Sequence, residues 1–438
     1  MKGVLPVAAA LALCVAAGVP AATPVDATSR VNVSGSGDQA DAESWGAAIS
    51  ADARYVAFDS HASNLVPDDT NGATDVFVHD AVTGETTRVD VSSEGKQTRI
   101  LPSHATSMSA DGRYVVFTSE ASNLVPGDTN RATDVFVHDL QTGQTTRVSV
   151  SSSGAQAHGF SGDGEISADG HYVVFDSYAR NLIRHDTNGG QDVFLHDLVT
   201  GKTTRVDVSS RGRQTLRGSQ SFTPAVSADG RYVVFASTAR NLVSGDTNGV
   251  PDVFVRDRKR GVTVRVSIGP RGRQARDART RNGSGLPSIS ADGRYVAFVS
   301  SAANLVSSDT NRRTDVFVRD RQLRRTMRVS VGSAGRQAKA GSGVPVISPD
   351  GRYVAFSSYA ALVSGEPGGI GQLFVRDLQG GTTILASRSD AGEAGNDSST
   401  VAAFSADDRF LAFTSWAQNL VPDDTNGTLD VFVRDLGP

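Results

Sequence analysis

The sequence predicts an all-β fold, a seven-bladed β-propeller of four-stranded antiparallel blades that is closed by an N-terminal strand. Three observations lead to this prediction. A segment of roughly 60 residues recurs seven times, each copy carries four short strand patterns, and the last copy lacks a strand that the N-terminal region supplies.

A tight turn before an apolar strand marks each copy. The turn reads Ser-Ala-Asp-Gly in most copies and Ser-Pro-Asp-Gly in the sixth, at residues 348–351. The aspartates of this turn stand at positions 52, 111, 169, 229, 292, 350 and 407, which are 57 to 63 residues apart. Such even spacing favours one closed array over several independent cores.

The second copy shows how a blade is built. Residues 101–109, 113–119, 134–139 and 145–150 form its four predicted strands, with turns and a polar loop between them. The second and third strands are apolar at consecutive positions, which predicts that both of their faces are buried. The fourth strand alternates with polar residues, so it is expected at the outer edge of the blade.

Closure of the ring follows from the two ends of the repeat array. The seventh copy reaches residue 438 where its fourth strand should begin. Residues 28–33 (Thr-Ser-Arg-Val-Asn-Val) match the fourth strand of the first copy, residues 86–91. The N-terminal strand is therefore predicted to complete the last blade, and residues 23–438 to form one propeller domain.

Composition and the N-terminal residues narrow the class of protein. A net charge of −4 gives no general attraction to nucleic acid or membranes, and no transmembrane segment is predicted. Residues 1–22 have the charged start, apolar stretch and small-residue end of a signal peptide, which predicts a secreted, periplasmic or cell-envelope protein. Lipidation of Cys14 is the less favoured alternative, because Leu13 stands where a small residue is expected.

One segment of the sixth copy carries a family resemblance. Residues 348–356 (Ser-Pro-Asp-Gly-Arg-Tyr-Val-Ala-Phe) and the recurring Asp-Val-Phe-Val strands resemble the WD40-like Pro-Asp repeat of TolB-type propellers. The resemblance covers residues 28–436. It departs from the family in having Ala for Pro in most turns and in being a propeller without the separate N-terminal domain. It implies a fold and a tendency to bind partners, and it implies no reaction.

An arginine and an aspartate recur at the two ends of the central strands. Antiparallel pairing brings the start of the second strand next to the end of the third, so a structural ion pair or a turn-capping aspartate is expected. The pairs are Arg54/Asp80, Arg113/Asp139, Arg231/Asp257, Arg294/Asp320, Arg352/Asp377 and Arg409/Asp435, with His171/Asp197 as the exception.

The loop between the second and third strands carries Asp-Thr-Asn-x-x-x-Asp in six copies. Clustered oxygen ligands next to a sharp turn make Ca²⁺ the one candidate cofactor. The first acidic ligand of known calcium loops is missing, so an Asx-turn that bonds its own loop is the favoured interpretation. The residues are Asp69, Asn71, Asp75, Asp128, Asn130, Asp134, Asp186, Asn188, Asp192, Asp246, Asn248, Asp252, Asp309, Asn311, Asp315, Asp424, Asn426 and Asp430.

The sixth copy departs from this loop pattern. Residues 365–369 (Gly-Glu-Pro-Gly-Gly) replace the Asp-Thr-Asn segment, and Ala361 replaces an asparagine that precedes it in the other copies. Their joint loss predicts that the asparagine and the Asp-Thr-Asn segment form one local unit. A Gly-x-Gln motif before most first strands is predicted to fix another set of loops on the same face of the propeller.

The sequence contains no recognisable catalytic set. Gly-x-Ser-x-Gly, His-Glu-x-x-His and Cys-x-x-Cys are absent. His79, His138 and His196 share a repeat position that later copies fill with arginine, which predicts solvated strand ends rather than metal ligands. Paired carboxylates for glycosidic chemistry stay open, because no pair stands out among the many aspartates.

A basic stretch at residues 256–281 is the main break in the repeat. It predicts a surface for an anionic partner, such as a cell-wall polymer or an acidic protein, with scattered surface arginine as the alternative. The residues are Arg256, Arg258, Lys259, Arg260, Arg265, Arg271, Arg273, Arg276, Arg279 and Arg281.

Together these observations favour a monomeric, exported, non-enzymatic binding scaffold for a protein or a cell-envelope polymer. Nucleic acid is not expected as a partner, because aromatic residues are not interleaved with the arginines. The alternative is a polysaccharide lyase or glycosidase with its site at the channel mouth. The sixth-copy loop and the basic stretch are the places where a functional site is expected.

Overall fold

The computed structural model describes residues 26–99, 101–276, 283–366 and 368–437. These residues form 28 strands in seven four-stranded antiparallel sheets, with one 3₁₀ turn at Pro270–Gly272. The predicted seven-bladed propeller is confirmed. The predicted signal peptide, residues 1–22, lies outside the described residues.

Six blades use their strands in chain order, and the first strands of neighbouring blades contact one another around the central channel. Blade 1 has β2 (Ser44–Ile49), β3 (Tyr55–Ser60), β4 (Asp75–Asp80) and β5 (Thr86–Arg88). Blade 2 has β6 (Ser103–Met108), β7 (Tyr114–Ser119), β8 (Asp134–Asp139) and β9 (Gln144–Arg147). Blade 3 has β10 (Ser161–Ile166), β11 (Tyr172–Ser177), β12 (Asp192–Asp197) and β13 (Lys202–Arg205).

The remaining blades repeat this plan. Blade 4 has β14 (Ser221–Val226), β15 (Tyr232–Ser237), β16 (Asp252–Asp257) and β17 (Val262–Arg265). Blade 5 has β18 (Ser284–Ile289), β19 (Tyr295–Ser300), β20 (Asp315–Asp320) and β21 (Arg325–Arg328). Blade 6 has β22 (Ser342–Ile347), β23 (Tyr353–Ser358), β24 (Gln372–Asp377) and β25 (Thr383–Leu385). Blade 7 has β26 (Ser399–Phe404), β27 (Phe410–Ser415), β28 (Asp430–Asp435) and the N-terminal β1 (Thr28–Arg30).

The apolar core lies between the blades. Second and third strands bury both faces, as their consecutive apolar residues predict, and each blade stacks one phenylalanine from each of these strands. In blade 1 the rings of Phe58 and Phe77 have centroids 5.9 Å apart.

The outer strands are shorter than predicted. In blade 2 the ladder ends at Arg147, because the chain then turns back to form an isolated bridge between Val150 and Gln156.

The closing strand pairs where the sequence predicts. Thr28 lies opposite Arg434 in the antiparallel register of β1 and β28. The fully buried Asn32 follows β1, and its side-chain amide donates to Asp430 Oδ1 at 2.5 Å and to Ser44 Oγ at 3.1 Å. These bonds tie the closing strand to both blade 7 and blade 1.

The Arg/Asp pairs lie on the face that carries the first-to-second and third-to-fourth strand turns. Arg54 donates to both carboxylate oxygens of Asp80 at 2.7 to 3.1 Å, and its guanidinium lies over the ring of Tyr55. Burial opposes ionisation of Asp80, but bonds from Arg54 and two backbone amides outweigh it and lower its pKa to about 2. The predicted structural pairing is confirmed.

The prediction of solvated histidines is wrong. His79, His138 and His196 are buried, because the outer strand and the connection to the neighbouring blade cover them. The Nδ1 atom of His138 lies 2.9 Å from Thr145 Oγ1 of the outer strand. Burial lowers the pKa of all three imidazoles. The later arginine at this position can be equally enclosed, since Arg434 is 1% exposed.

Candidate functional sites

Each Asp-Thr-Asn loop encloses an arginine from the outer strand of its own blade. In blade 2, Arg147 Nη1 lies 3.1 Å from Asp128 Oδ1 and 3.3 Å from Asp134 Oδ2. Asn130 donates to Asp134 Oδ2 at 2.7 Å and accepts the backbone amide of Ala132 at 3.1 Å, which is the expected Asx-turn. Burial raises the pKa of Asp134, while its hydrogen bonds and Arg147 act against that rise.

Sequence reasoning did not connect these arginines with the loops, and it assigned one of them, Arg265, to the basic stretch. The six are Arg30, Arg88, Arg147, Arg205, Arg265 and Arg328. The signal was present in the sixth copy, where Leu385 replaces the arginine and Gln372 replaces the second aspartate. There Gln372 donates to Gly395 O at 2.7 Å and accepts from Ser387 Oγ at 2.6 Å. Leucine and glutamine thus replace the arginine and the second aspartate together, whereas Glu366 keeps a buried carboxyl group at the position of the first aspartate and accepts the backbone amide of Gly368.

The asparagine that precedes each Asp-Thr-Asn segment belongs to a different junction between blades. Asn123 of blade 2 donates to the carbonyl of Gln97, whose side chain donates to Thr70 Oγ1 in the loop of blade 1. The Asp-Thr-Asn segment of blade 2 faces the other way, since Asn130 donates to Ala157 O. The expectation of one local unit is therefore wrong, whereas the predicted loop lock by glutamine on this face is confirmed.

Calcium should leave the melting temperature unchanged. The described residues contain no group of three or more acidic, histidine or cysteine side chains able to hold a metal ion, and an internal guanidinium already sits between the loop carboxylates. A ligand that binds only the folded state must raise the melting temperature. Scanning calorimetry with calcium and with a chelator tests this. A clear upward shift with calcium, absent with magnesium, would establish calcium loops.

The structure divides the basic stretch into two groups. Arg256 donates to Gly261 O at 2.9 Å, and Arg258 donates to Gly230 O at 2.5 Å while lying over the ring of Tyr172, so both hold the fold together. Arg265 belongs to the loop of blade 4. Exposed members are Lys259, Arg260, Arg271, Arg273 and Arg276, whereas Arg279 and Arg281 lie outside the described residues.

A basic groove runs between the outer strands of blades 4 and 5. Its volume is about 770 Å³, and Val262 and Val264 of β17, which are 40% and 39% exposed, form part of its apolar floor. Its rim carries the exposed Arg271 and Arg324, neither of which has a carboxylate within ion-pair distance among the described residues. The buried Arg319 also lines the groove, but its guanidinium donates to Thr326 Oγ1 at 3.1 Å. The groove can therefore offer unpaired guanidinium groups beside apolar surface. The sixth-copy loop lines a separate depression of about 390 Å³.

A second site, not found by sequence reasoning, lies in the central channel. A cavity of about 310 Å³ has Asp163 and Glu165 of β10 on one side. The lining also includes Thr106 of blade 2, Thr223 of blade 4 and apolar residues from the first strands of blades 4, 5 and 6, namely Pro224, Leu286, Pro287, Val344 and Pro345. The seven first strands contain no lysine or arginine. The sequences of these first strands differ from blade to blade, and that variation was the sequence signal for a site in the channel.

The carboxylate of Asp176 lies behind Asp163. Asp176 is 1% exposed, and its Oδ2 accepts the backbone amide of Thr223 at 3.4 Å. Within the described part of the chain its Oδ1 has no hydrogen-bond partner. Burial, reinforced by repulsion from Asp163, raises the pKa of Asp176 to about 7. Burial likewise raises the pKa of Glu165 to about 7, against one bond from Val226 N.

Blade 1 offers a natural comparison. Asp59 occupies the repeat position of Asp176, and its Oδ2 lies 3.0 Å from Nδ1 of His104. That contact raises the pKa of His104, which burial opposes. The aspartate of blade 1 thus has a basic partner, whereas the aspartate of blade 3 faces another carboxylate.

No protein-family model and no curated protein matches this chain. Solved structures match it. An oligogalacturonate lyase in complex with manganese has a TM-score of 0.56 at 13% identity, with 94% of this chain and 93% of that chain covered. The β-propeller domain of the Trilobed protease from Pyrococcus furiosus has a TM-score of 0.51 at 12% identity, with 91% and 96% covered.

TolB proteins are also among the similar structures. TolB from Acinetobacter baumannii is 14% identical with a TM-score of 0.41, and the match covers 78% of this chain but only 63% of that one. At such low sequence identities, these similarities show a shared fold alone. The protein is a seven-bladed β-propeller. Among the described residues, no helix has the length and apolar character needed to cross a bilayer.

Proposed function

We propose that this protein is an exported, non-enzymatic binding scaffold whose basic groove holds an anionic polymer of the cell envelope. One observation carries the proposal: two exposed arginines without carboxylate partners among the described residues, Arg271 and Arg324, border an exposed apolar floor. Guanidinium groups match carboxylates and phosphates in bidentate geometry. The valines offer a surface for the apolar faces of sugar rings, so a chain of acidic sugars fits both features.

Charge reversal in the groove should weaken polymer binding. The double variant Arg271→Glu, Arg324→Glu is expected to lose about tenfold or more in affinity for polygalacturonate, because each reversal replaces attraction by repulsion. Binding to immobilised polymer at two salt concentrations measures this, with dextran as the neutral control polymer.

The chain provides a matched control variant. Arg211 occupies the repeat position of Arg271 at the junction of blades 3 and 4 and is also exposed. Arg211→Glu should bind like the unaltered protein. An equal loss in Arg211→Glu would contradict a localised groove, and binding to polyglutamate without binding to polysaccharide would assign an acidic protein instead.

The channel carboxylates favour a second candidate function, a polysaccharide lyase or glycosidase. Carboxyl groups that stay protonated near neutral pH are typical of general acids in glycosidic chemistry, and Glu165 and Asp176 have such pKa values. A turnover screen over cell-wall and plant polysaccharides tests it. Turnover that disappears in Asp163→Asn would replace the scaffold proposal by an enzyme.

A further inference from the structure

We propose that the junction between blades 6 and 7 is a pH-sensitive contact, closed when the carboxyl groups of Asp350 and Asp408 share one proton and weakened when both are ionised. The contact lies on the face that carries the Arg/Asp pairs. It is separate from the basic groove between blades 4 and 5, so the inference goes beyond the function proposed above.

Backbone hydrogen bonds connect the Ser-x-Asp turns of neighbouring blades on this face. Six junctions have such a bond, 2.8 to 3.4 Å long, from the amide of the first residue to the carbonyl of the second: Ala51 to Ala110, Ala110 to Ala168, Asp169 to Ala228, Ala228 to Ala291, Ala291 to Pro349 and Ala406 to Ala51. At the junction of blades 6 and 7 the donor position is Pro349, whose nitrogen carries no hydrogen. This junction therefore depends on a different contact.

Asp408 of blade 7 is the second departure from the repeat at this junction. Its position is glycine in blades 2 to 6 and Ala53 in blade 1. Asp408 has the left-handed φ of 61° that favours glycine, and a Cβ at the equivalent Gly351 would clash with the ring of Tyr295 in the preceding blade. Asp408 thus carries a side chain into a junction that five copies leave without one, and it does so where proline has removed the backbone bond.

The carboxyl group of Asp408 meets the carboxyl group of Asp350. The two share a hydrogen bond, and the backbone amide of Asp350 also faces the carboxyl group of Asp408. Asp408 is 9% exposed, and its Oδ1 accepts no hydrogen bond from the described residues. A carboxylate can only accept, so a hydrogen bond between two carboxyl groups requires a proton on one of them. Ionisation of both places two like charges in contact.

The neighbouring arginines are already paired with other carboxylates. Arg352 donates to Asp377 at 2.9 Å, and Arg409 donates to Asp435 at 2.9 Å. The adjacent Asp407 accepts the backbone amide of Arg409 at 3.2 Å and adds negative charge next to Asp408. The fold therefore supplies no free cation to offset a second negative charge in the junction.

A leucine stands where another junction has an arginine. In blade 4, Arg258 lies over the ring of Tyr172 of blade 3. The corresponding residue of blade 7 is Leu436, and burial raises the pKa of Tyr353, so that the phenol carries no charge near neutral pH. Leu436 and Tyr353 line a cavity of about 330 Å³ together with the two aspartates. Water can therefore reach the contact when it loosens.

The pKa directions agree with one proton shared by the pair. Burial, reinforced by Asp350, raises the pKa of Asp408 to about 7. Burial opposes ionisation of Asp350, but bonds from Asp408 and from the backbone amide of Arg352 outweigh it and lower its pKa. An aspartate of the unfolded chain has a pKa near about 4. Between these two pH values the folded chain binds the extra proton, so the contribution of Asp408 to stability falls as the pH rises from about 4 to about 7.

Scanning calorimetry of the full chain and of Asp408→Asn at pH 5 and at pH 8 tests the inference. Asparagine keeps the shape and a donor for Asp350 but cannot ionise. The two proteins should melt alike at pH 5, and the variant should melt about 2 °C or more above the unaltered chain at pH 8. Ala53→Gly, at the same repeat position in blade 1, is the matched control. Its effect on the melting temperature should be equal at both pH values.

Hydrogen exchange locates the effect in the molecule. Comparison of the two proteins at one pH cancels the intrinsic pH dependence of exchange. Peptides that cover residues 348–353 and 405–410 should exchange about tenfold faster in the unaltered chain than in Asp408→Asn at pH 8, and alike at pH 5. Peptides over residues 109–114 and 167–172, at the junction of blades 2 and 3, should not differ. Equal melting temperatures at pH 8, a difference of the same size at both pH values, or a change in exchange at both junctions would overturn the inference.

Discussion

Arg147→Leu should cost about 3–5 kcal/mol of unfolding free energy, because it leaves the carboxylates of Asp128 and Asp134 enclosed without their cation. Arg147 is 9% exposed, and its two carboxylate partners are more deeply enclosed still. Urea unfolding followed by tryptophan fluorescence or circular dichroism measures the loss. An unchanged midpoint would show that water enters the loop and screens the two carboxylates.

Blade 6 supplies the control for this prediction. It has leucine and glutamine where blade 2 has Arg147 and Asp134, and a serine follows in both blades, Ser149 and Ser387. Adding Asp134→Gln to Arg147→Leu should therefore recover much of the lost stability, since the pair then matches a set that the fold already accommodates. Asp134→Gln alone should be destabilising because it leaves the arginine with one carboxylate. Additive losses would contradict this coupling.

Removal of the closing strand, residues 26–34, should have the largest effect on folding, a loss of more than about 5 kcal/mol, which is comparable to the whole stability of many domains. The deletion exposes the edge of β28 and takes from Arg434 the hydroxyl of Thr28 and the carboxylate of Asp26. It also removes Asn32, which bonds the backbone amide of Val431 at 3.0 Å. Calorimetry should show a broad transition at lower temperature.

A synthetic peptide of residues 26–34 provides the control for the deletion. Added in excess, it should restore the transition, because it can pair with β28 as β1 does. A scrambled peptide of the same composition should not. If the truncated chain melts at the same temperature as the full chain, contacts other than those of residues 26–34 hold blades 7 and 1 together.

The fold could be predicted from the sequence because the same turn and strand patterns recur in successive copies. Seven copies of one turn, doubly apolar strands and the match between residues 28–33 and 86–91 each constrain the same architecture. The Asp-Thr-Asn loops were harder to interpret. Arg147 stands 13 residues after Asp134, and only the paired substitutions in the sixth copy connect the two positions.

The channel site could not be predicted because it depends on how side chains of different strands meet. Asp163 and Asp176 stand among many aspartates, and nothing local distinguishes them. The repeat position of Asp176 reads Asp59, Thr118, Asp176, Ala236, Val299, Ser357 and Thr414 through the blades. This variation marks a position that the scaffold leaves free, but only the fold shows that it adjoins the channel. Burial, together with the neighbouring Asp163, then raises the pKa of Asp176.

The closing strand also determines when the molecule can finish folding. Thr28 and Arg434 are 406 residues apart in sequence, so the contact that completes the ring closes a loop of nearly the entire described chain. The entropy of such a closure grows only slowly with length, but the contact cannot form before the last strand is available. Until then β28 presents an open edge able to pair with another molecule. The slowest and most aggregation-prone step of folding is therefore expected to be the pairing of β1 with β28. Although β1 precedes the other 27 described strands in the chain, it is expected to pair last.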